Sequence, residues 1–477
     1  MDGIKRNIIF FLSVFLLFNS ILIKVCSAQE GSPTHRLRLA DCLELAVKND
    51  PDAVNARDQI EIGRLKTEDA SRALFLPRID METSYGPKLD FFGKPVSDQK
   101  IYRSQITVEK PIYKGGELVT SYKMTKSETV RAEHDYQTKA TKVMAEAAKN
   151  YYDLLAAQES LRYQRELYKQ GEATVDLLNE KFKLGAATKV EVLEAEAKFI
   201  EIKYKLAKAE GDLQVAIATL NKTIGWDLRM KTEVVAEFPL KPLEGKVEQF
   251  IDLALKARPD FLYQMEDSNF NQLRLELNKS KEWPTLSVAA SHGWEGDRFL
   301  GQKRDWQVML KLSLSLYDST LSSSASQNKL YENSFNFTRQ DENFDAENMK
   351  LSIFDGSSQR VSIEKARAEL KLAVNRLDQL KKTVAKEVND AFYHMKGAEA
   401  NISAGEKYVM YNQEKVKVLE EKLKLKETTE VEVLKAQVDL VDAQVKTIKA
   451  LYEHAAALVD LYKATGKKIE WKGNSNG

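Results

Sequence analysis

The chain has 477 residues, long enough for two or three ordinary domains, and its 72 Lys and Arg nearly balance its 71 Asp and Glu. This balance offers no basic footprint for a polyanion, so we expect no nucleic-acid partner. Charged residues make up 30% of the chain, against only 21 Gly and 10 Pro. Such a composition favours long helices over a β-sandwich or a mononucleotide-binding fold.

Residues 1–28 have the organisation of a signal peptide. Two basic residues precede an apolar stretch from Ile8 to Ile23, and small residues end the segment. Lipid attachment at Cys26 stays open at this point. If Cys26 leaves with the signal, Cys42 is the only cysteine of the mature chain, which then has no intramolecular disulfide and no thiol metal cluster.

The rest of the chain consists of two copies of one plan. Residues 180–196 align with 421–437 at a shift of 241 residues, and both segments contain a helix end, a short turn and a new helix that begins Val-Glu-Val-Leu. Internal repetition of this kind defines the architecture. We therefore predict a first structural repeat over 29–232, a linker over 233–245, a second repeat over 246–466 and a polar C-terminal tail over 467–477.

Each repeat opens with a helix that ends at a proline and leads into strands. The first repeat has room for one β-hairpin over 78–113, around a polar loop at 86–100. In the second repeat the strands occupy 284–355, and the leucine-rich segment 308–316 alternates apolar and polar residues like a membrane strand of about 9–11 residues. The extra residues 306–349 form either two more barrel strands or an external loop.

The strands lead into coiled-coil hairpins over 115–225 and 357–465. Each long first helix would measure about 100 Å at ~1.5 Å per residue. After the first turn, apolar residues follow the 3-4 spacing of a heptad in two adjacent stripes, which suits a helix with a neighbour on each side. The first stripe is Val192, Ala195, Phe199, Ile202, Leu206, Ala209, Leu213, Ala216 and Leu220, and the second is Leu193, Ala197, Ile200, Tyr204 and Ala207.

The motifs of known enzymes are missing from the sequence. The five histidines are scattered without metal-ligand spacing, and there is neither a phosphate-binding Gly loop nor a Gly-x-Ser-x-Gly motif. We therefore expect no enzyme activity, no cofactor and no metal site.

The order of the duplicated helices, strands and turns along the chain resembles that of the TolC family of outer-membrane efflux proteins. The resemblance covers 37–466 and is carried by Leu-x-Leu-x-x-Cys-Leu-x-Leu-Ala at 37–46, Asn-Asp-Pro at 49–51, Ile-Phe-Asp-Gly at 353–356 and the duplicated corner. It implies a mainly α fold with a membrane β-barrel part. Long antiparallel coiled-coil helices would form a periplasmic tunnel, and the strands would contribute to a shared trimeric barrel in the cell outer membrane.

The same resemblance implies a passive exit duct of a tripartite efflux or type I secretion system. Such a homotrimer contacts outer-membrane lipid and docks a periplasmic adaptor protein and an inner-membrane transporter. The two helix corners would form the adaptor-docking tip: Leu184, Gly185, Ala186, Ala187, Thr188, Leu425, Lys426, Glu427, Thr428 and Thr429.

The resemblance also implies a periplasmic constriction at Glu432, with Lys435 and Glu191. Three copies of Lys435 would partly cancel the charge of three copies of Glu432 and weaken cation preference. An intrahelical surface pair between Glu432 and Lys435 is the equally weighted alternative. The second corner departs from the family because it has Lys426 where glycine is usual.

Two other classes of exported protein are weighed against the channel. A periplasmic adaptor also carries a coiled-coil hairpin, but it has one hairpin flanked by Gly-rich β domains, whereas this chain has two. A coiled-coil structural protein would not need the alternating strand at 308–316. The exported substrate stays open among a drug, a metal ion and a protein.

Overall fold

The computed structural model describes residues 35–89, 95–240, 242–296, 299–300, 303–316, 319–331, 343–353 and 357–467. The predicted signal peptide, Cys26 and the tail beyond Lys467 lie outside these residues. The described chain divides into two compact units. The first comprises the residues up to Ala46 with Ala147–Pro239 and Ser403–Tyr452, and the second comprises Val47–Glu146, Leu240–Ile402 and the residues from Glu453 onward.

Helices dominate both units. In chain order they are α1 Leu39–Asn49, α2 Pro51–Phe75, α3 Glu117–Lys183, α4 Lys189–Ile224, α5 Val247–Ala257, α6 Pro259–Ser280, α7 Ser357–Lys424 and α8 Glu430–Thr465. Among the described residues, no helix is both long enough and apolar enough to cross a membrane.

The strands form two sheets. In chain order they are β1 His35–Leu37, β2 Arg78–Leu89, β3 Pro95–Lys114, β4 Thr232–Val234, β5 Thr285–Gly296, β6 Lys303–Leu316, β7 Ser319–Tyr331 and β8 Asn343–Ile353. β1 and β4 pair in parallel, and the other six form one sheet in the order β2-β3-β5-β6-β7-β8. Every neighbouring pair in that larger sheet is antiparallel.

Prolines separate the short first helix of each repeat from the longer second one. Asp50 has an extended backbone, and its side chain accepts a hydrogen bond from Ala53 N at 2.8 Å, so it caps α2. Pro51 then occupies the first turn, where its missing N–H costs nothing. Arg258 and Pro259 hold the corresponding positions before α6.

The larger sheet differs from the sequence-based expectation in two places. The first hairpin continues past the predicted loop at 86–100, because β2 and β3 stay paired as far as Leu89 and Pro95. The segment 306–349, for which two interpretations were open, contributes β7 and parts of β6 and β8. It therefore adds strands to the sheet in its described part, while the turn residue Asp318 lies outside the described residues.

One face of the larger sheet is apolar. Residues that pair directly across a sheet project to the same side, and Val288, Leu310 and Ala325 are paired in this way across β5, β6 and β7. The single chain exposes many large apolar residues on this face, among them Ile79, Met81, Val308, Leu310, Leu312, Met349 and Leu351. The opposite face carries polar residues such as Ser287, Lys311 and Ser324, which are also paired with one another.

A glycine holds the junction between β3 and α3. Gly115 has φ +54°, and a Cβ there would lie 2.3 Å from Ser280 O and 2.5 Å from Trp283 Cβ. Both distances are far below van der Waals contact. Residue 115 lies so close to the end of α6 that only glycine, which has no Cβ, fits there.

The second unit has an aliphatic core between α5, α7 and α8. It contains Ala254, Val384, Val388, Ala391, Leu461 and Ala464. Beside it the mostly buried Arg258 makes ion pairs with Asp260 at 2.7 Å and Glu387 at 2.5 Å. These carboxylates outweigh the opposing effect of burial and raise the pKa of Arg258, so the guanidinium stays charged.

In the first unit, Tyr151 ties the parallel pair β1–β4 to α3. Its buried hydroxyl donates to Val235 O at 3.2 Å and lies 3.4 Å from Leu37 O. β4 overlaps the first residues of the predicted linker, 233–245. The sequence did not indicate this strand, because its partner β1 lies almost 200 residues earlier in the chain.

Candidate functional site: the helical tip

The turn between α3 and α4, residues 184–188, is closed by backbone hydrogen bonds. Ala186 N donates to Lys181 O at 2.8 Å and Gly185 N donates to Phe182 O at 3.0 Å. Gly185 has φ +73°. This pair of bonds around a left-handed residue is a Schellman motif, which satisfies the last carbonyls of α3.

The turn between α7 and α8, residues 425–429, repeats this geometry with a lysine. Glu427 N donates to Lys422 O at 2.9 Å and Lys426 N donates to Leu423 O at 3.0 Å. Lys426 has φ +61°, in the region that disfavours residues with a side chain. The second turn is therefore built like the first, but with backbone strain that glycine would relieve.

The helices that leave the two turns are capped differently. Thr188 and Glu191 form a capping box: Glu191 N donates to Thr188 Oγ1 at 3.2 Å, and Thr188 N donates to Glu191 Oε2 at 2.6 Å. The backbone amide of Thr188, followed by its hydroxyl, lowers the pKa of Glu191. In the second turn Glu432 N donates to Thr429 Oγ1 at 3.3 Å, while the Glu432 carboxylate accepts from the Thr428 hydroxyl.

A small apolar cluster lies beneath the turns. Leu178, Val192, Ala195 and Val431 are almost completely buried there, and Ala187 packs against them. Val431 comes from the second repeat, so the start of α8 is held against the first hairpin. Further from the turns, Leu167, Ile202 and Leu434 continue the same three-helix contact.

Ion pairs fasten α8 to the first hairpin alongside this cluster. Lys181 pairs with Glu430, Lys435 pairs with Glu194 at 2.5 Å, and Lys205 pairs with Asp442 at 2.8 Å. Burial opposes the charge of Lys205, but the hydrogen bonds that the ammonium donates to Asp442 and Glu201 outweigh this effect and raise the pKa of the lysine. On the other side of α8, Lys415 of α7 pairs with Asp439 at 2.9 Å.

These contacts bear on the residues predicted for the constriction. Glu191 and Glu432 both take part in helix caps, and Lys435 reaches across to Glu194 of α4 instead of pairing with Glu432 within α8. Sequence reasoning missed Glu194. The signal was present, because Glu194 and Lys435 are equivalent positions of the two repeats, separated by the same 241 residues and opposite in charge.

The two stripes predicted on α4 have different surroundings. Val192, Ala195, Ile202, Ala216 and Leu220 of the first stripe are buried within the unit. In the second stripe, Leu193, Ile200 and Tyr204 remain 51%, 67% and 69% exposed. α7 has a similar exposed row at heptad spacing, made of Tyr408, Tyr411 and Val418, and Leu425 of the following turn continues it.

Long paired helices joined to an antiparallel sheet with one apolar face are the architecture that the sequence resemblance predicts. The family model described as outer membrane efflux protein matches residues 42–226 and 312–467. The chain belongs to this family.

Two curated relatives are similar to parts of the chain. The alkaline protease secretion protein AprF of Pseudomonas aeruginosa is 22% identical over 270 residues, which are 54% of this chain and 55% of that protein. The proteases secretion protein PrtF of Dickeya chrysanthemi is 22% identical over 322 residues, 62% of this chain and 68% of that protein. The chain thus spans little more than half the length of AprF.

Solved structures share the fold over nearly the whole chain. The Campylobacter jejuni CmeC outer membrane channel superposes with a TM-score of 0.70 at 18% identity, covering 90% of this chain and 85% of that one. The Neisseria gonorrhoeae MtrE outer membrane channel gives 0.66 at 15% identity, covering 90% and 89%. The predicted TolC-like fold class and the outer-membrane location are confirmed.

Proposed function

We propose that the protein is the exit duct of a type I secretion or tripartite efflux system. Three copies would form a passive channel through the outer membrane and periplasm and would receive cargo from an adaptor and an inner-membrane transporter. The observation that carries this proposal is the second stripe of α4, whose large residues remain exposed to solvent in the single chain.

That stripe supports assembly of several copies. A lone exposed leucine is unremarkable, but Leu193, Ile200 and Tyr204 repeat at the 3.5-residue period of a coiled coil. The row on α7 that includes Tyr411 and Val418 has the same period. Because the two rows differ, the α4 row of one copy would pack against the α7 row of the next, a head-to-tail contact that closes as a ring.

The tip offers an apolar surface for the adaptor. Leu184 is 84% exposed, Leu425 is 70% exposed and Val190 is 71% exposed. Three small residues, Gly185, Ala186 and Ala187, follow Leu184 in the first turn, so a partner could approach the backbone closely. We propose that turns 184–188 and 425–429 form the adaptor-docking surface, with six turns in a trimer.

The start of α8 would form the constriction of the duct. Glu432, Lys435 and Glu191 lie within the first turns after the two corners, and in a ring each would be present in three copies. The Glu194–Lys435 pair would reduce the positive charge that Lys435 presents to ions. Lys435→Asp should therefore increase cation selectivity of the purified trimer in a planar bilayer, whereas unchanged selectivity would contradict this assignment.

A polypeptide is the cargo we favour. The curated relatives AprF and PrtF are named for the secretion of proteases. The transporter, which selects the cargo, is a separate protein, so cargo identity is tested by co-expressing the duct with candidate transporters and measuring secretion.

The assembly is tested by Ile200→Glu, which introduces three like charges into the proposed interfaces. Cross-linking in outer membranes should then show mainly monomer. Lys208→Glu, a change on α4 outside the stripe, serves as the matched control and should leave the trimer intact. Equal trimer yields from both variants, or native protein in the soluble periplasmic fraction, would contradict the proposal.

A further inference from the structure

We infer that the outer-membrane wall of this protein contains six strands from each copy and eighteen strands in all. The inference rests on the proposed assembly of three copies and goes beyond it, because it fixes the width of the pore. Its starting observation is the six-stranded sheet β2-β3-β5-β6-β7-β8.

The inserted strands are integral members of the sheet. β5 pairs with β6 from Thr285↔Ser313 to Glu295↔Lys303. β7 pairs with β6 along its whole length and with β8 from Ser319↔Ile353 to Lys329↔Asn343. The backbone groups of β6 and β7 are therefore satisfied on both sides, and β5 and β8 do not meet directly.

The two edge strands fit each other in direction and length. β2 has 12 residues and leads away from α2, whereas β8 has 11 residues and leads towards α7. Copies related by rotation about a common axis would bring β8 of one copy antiparallel to β2 of the next. This pairing would satisfy both open edges, and in a membrane no edge can remain open.

The apolar face also continues across this contact. Leu321 of β7 pairs with Leu351 of β8, and Ile79 of β2 pairs with Val108 of β3. Both pairs belong to the apolar side and lie near the helical end of their strands. Near this end of the sheet, an apolar band would thus continue from one copy to the next, as a lipid-facing wall requires.

Three copies of six strands give eighteen, and strand number determines the pore diameter. With strands about 4.8 Å apart and tilted by about 40°, an eighteen-stranded barrel has a backbone diameter of about 36 Å. Twelve strands, four from each copy, would give about 24 Å by the same relation. The strand part of the duct is therefore about half as wide again as it would be without β6 and β7.

The insertion widens the strand part without adding a helix. β6 runs towards the end of the sheet that connects to the helices, and β7 runs away from that end. β5 therefore still follows α6, β8 still leads into α7, and neither strand changes direction. A wide outer exit suits the polypeptide cargo proposed above, because the exit would not be the narrowest segment of the path.

The direct test is to count strands by electron cryo-microscopy of the purified native assembly in lipid nanodiscs. We expect eighteen strands in the membrane wall. A trimer with twelve strands would overturn this inference and leave the proposed duct standing. Isolation of the native protein as a soluble monomer would instead contradict the proposed function.

A deletion supplies the second measurement. Removing residues 303–331 takes out β6 and β7 together and should leave a trimer with twelve strands and a barrel diameter reduced by about one third. Removing only 319–331 leaves an odd number of strands, so β6 would lead into β8 in the wrong direction and the trimer should be lost. Equal assembly of both deletion variants would show that the two strands do not belong to the wall.

Discussion

Lys426 has the left-handed backbone conformation that Gly185 has in the first turn, so Lys426→Gly tests the strain at the tip. Its φ of +61° lies in a region that costs a residue with a side chain about 1–2 kcal/mol. The two hydrogen bonds that close the turn use only backbone atoms and survive the substitution. Glycine loses about 0.5–1 kcal/mol through its greater freedom in the unfolded chain. We therefore expect a net local stabilisation of about 0.5–1 kcal/mol.

Hydrogen exchange of the turn amides in the assembled protein measures this effect. A gain of this size slows local opening by about 2- to 5-fold. Lys426→Ala keeps the strain but removes the charge, so its exchange should match that of the native protein. Gly185→Lys should accelerate exchange in the first turn, where an added Cβ meets nothing within 4 Å and only strain is introduced. If Lys426→Ala slows exchange as much as Lys426→Gly, charge and not backbone strain is responsible.

Four further predictions concern the first unit. Lys435→Glu should lower the free energy of unfolding by up to about 1 kcal/mol, and adding Glu194→Lys should restore it. A double-mutant cycle of unfolding free energies measures the coupling between the two residues. If the second substitution does not restore stability, the pairing is refuted. Cys42, fully buried with its pKa raised by burial to about 12, should resist maleimide at pH 8 until the protein is denatured. This pKa exceeds the ordinary value of 9.0, so the folded protein keeps the thiol proton that the unfolded chain loses. The free energy of unfolding should therefore fall as the pH rises from 9.0 to about 12. Ile202→Ala should destabilise by about 2–5 kcal/mol and Ile202→Val by about 0.5–1.5 kcal/mol in chemical denaturation, and equal effects would argue against a packed site.

The fold class could be predicted because its main elements have strong periodic signals. Heptad spacing on α4 and strict alternation in β6 are properties of the local sequence, and both elements are present in the structure. The duplicated corner then related the two halves to each other. These signals depend on side chains within one element, so they need no knowledge of its neighbours.

β7 shows where local signals end. Its sequence, Ser-Thr-Leu-Ser-Ser-Ser-Ala-Ser-Gln-Asn-Lys-Leu-Tyr, has small or polar residues on both faces and no clear alternation. It is a strand because β6 and β8 pair with it on both sides. Strand propensity depends on such neighbours more than on the residue itself, so the sequence could not decide between strand and loop.

The two turns were located from the sequence, but their contacts were not. The turns, Thr188 and the unusual Lys426 follow from capping rules and comparison of the repeats. The partners of the charged residues depend on which helices lie side by side, and α8 packs against the first hairpin. Lys435 therefore pairs with Glu194, a contact that spacing within α8 cannot reveal.

The parallel pairing of β1 with β4 has a consequence for the order of folding. His35 pairs with Thr232, so β1 is synthesised long before its partner exists. At about 5–20 residues per second, the intervening segment takes roughly 10–40 s to make. During that time β1 has an unpaired edge and Tyr151 lacks one of the two carbonyls near its hydroxyl. The first unit therefore cannot close before residues 232–235 are present.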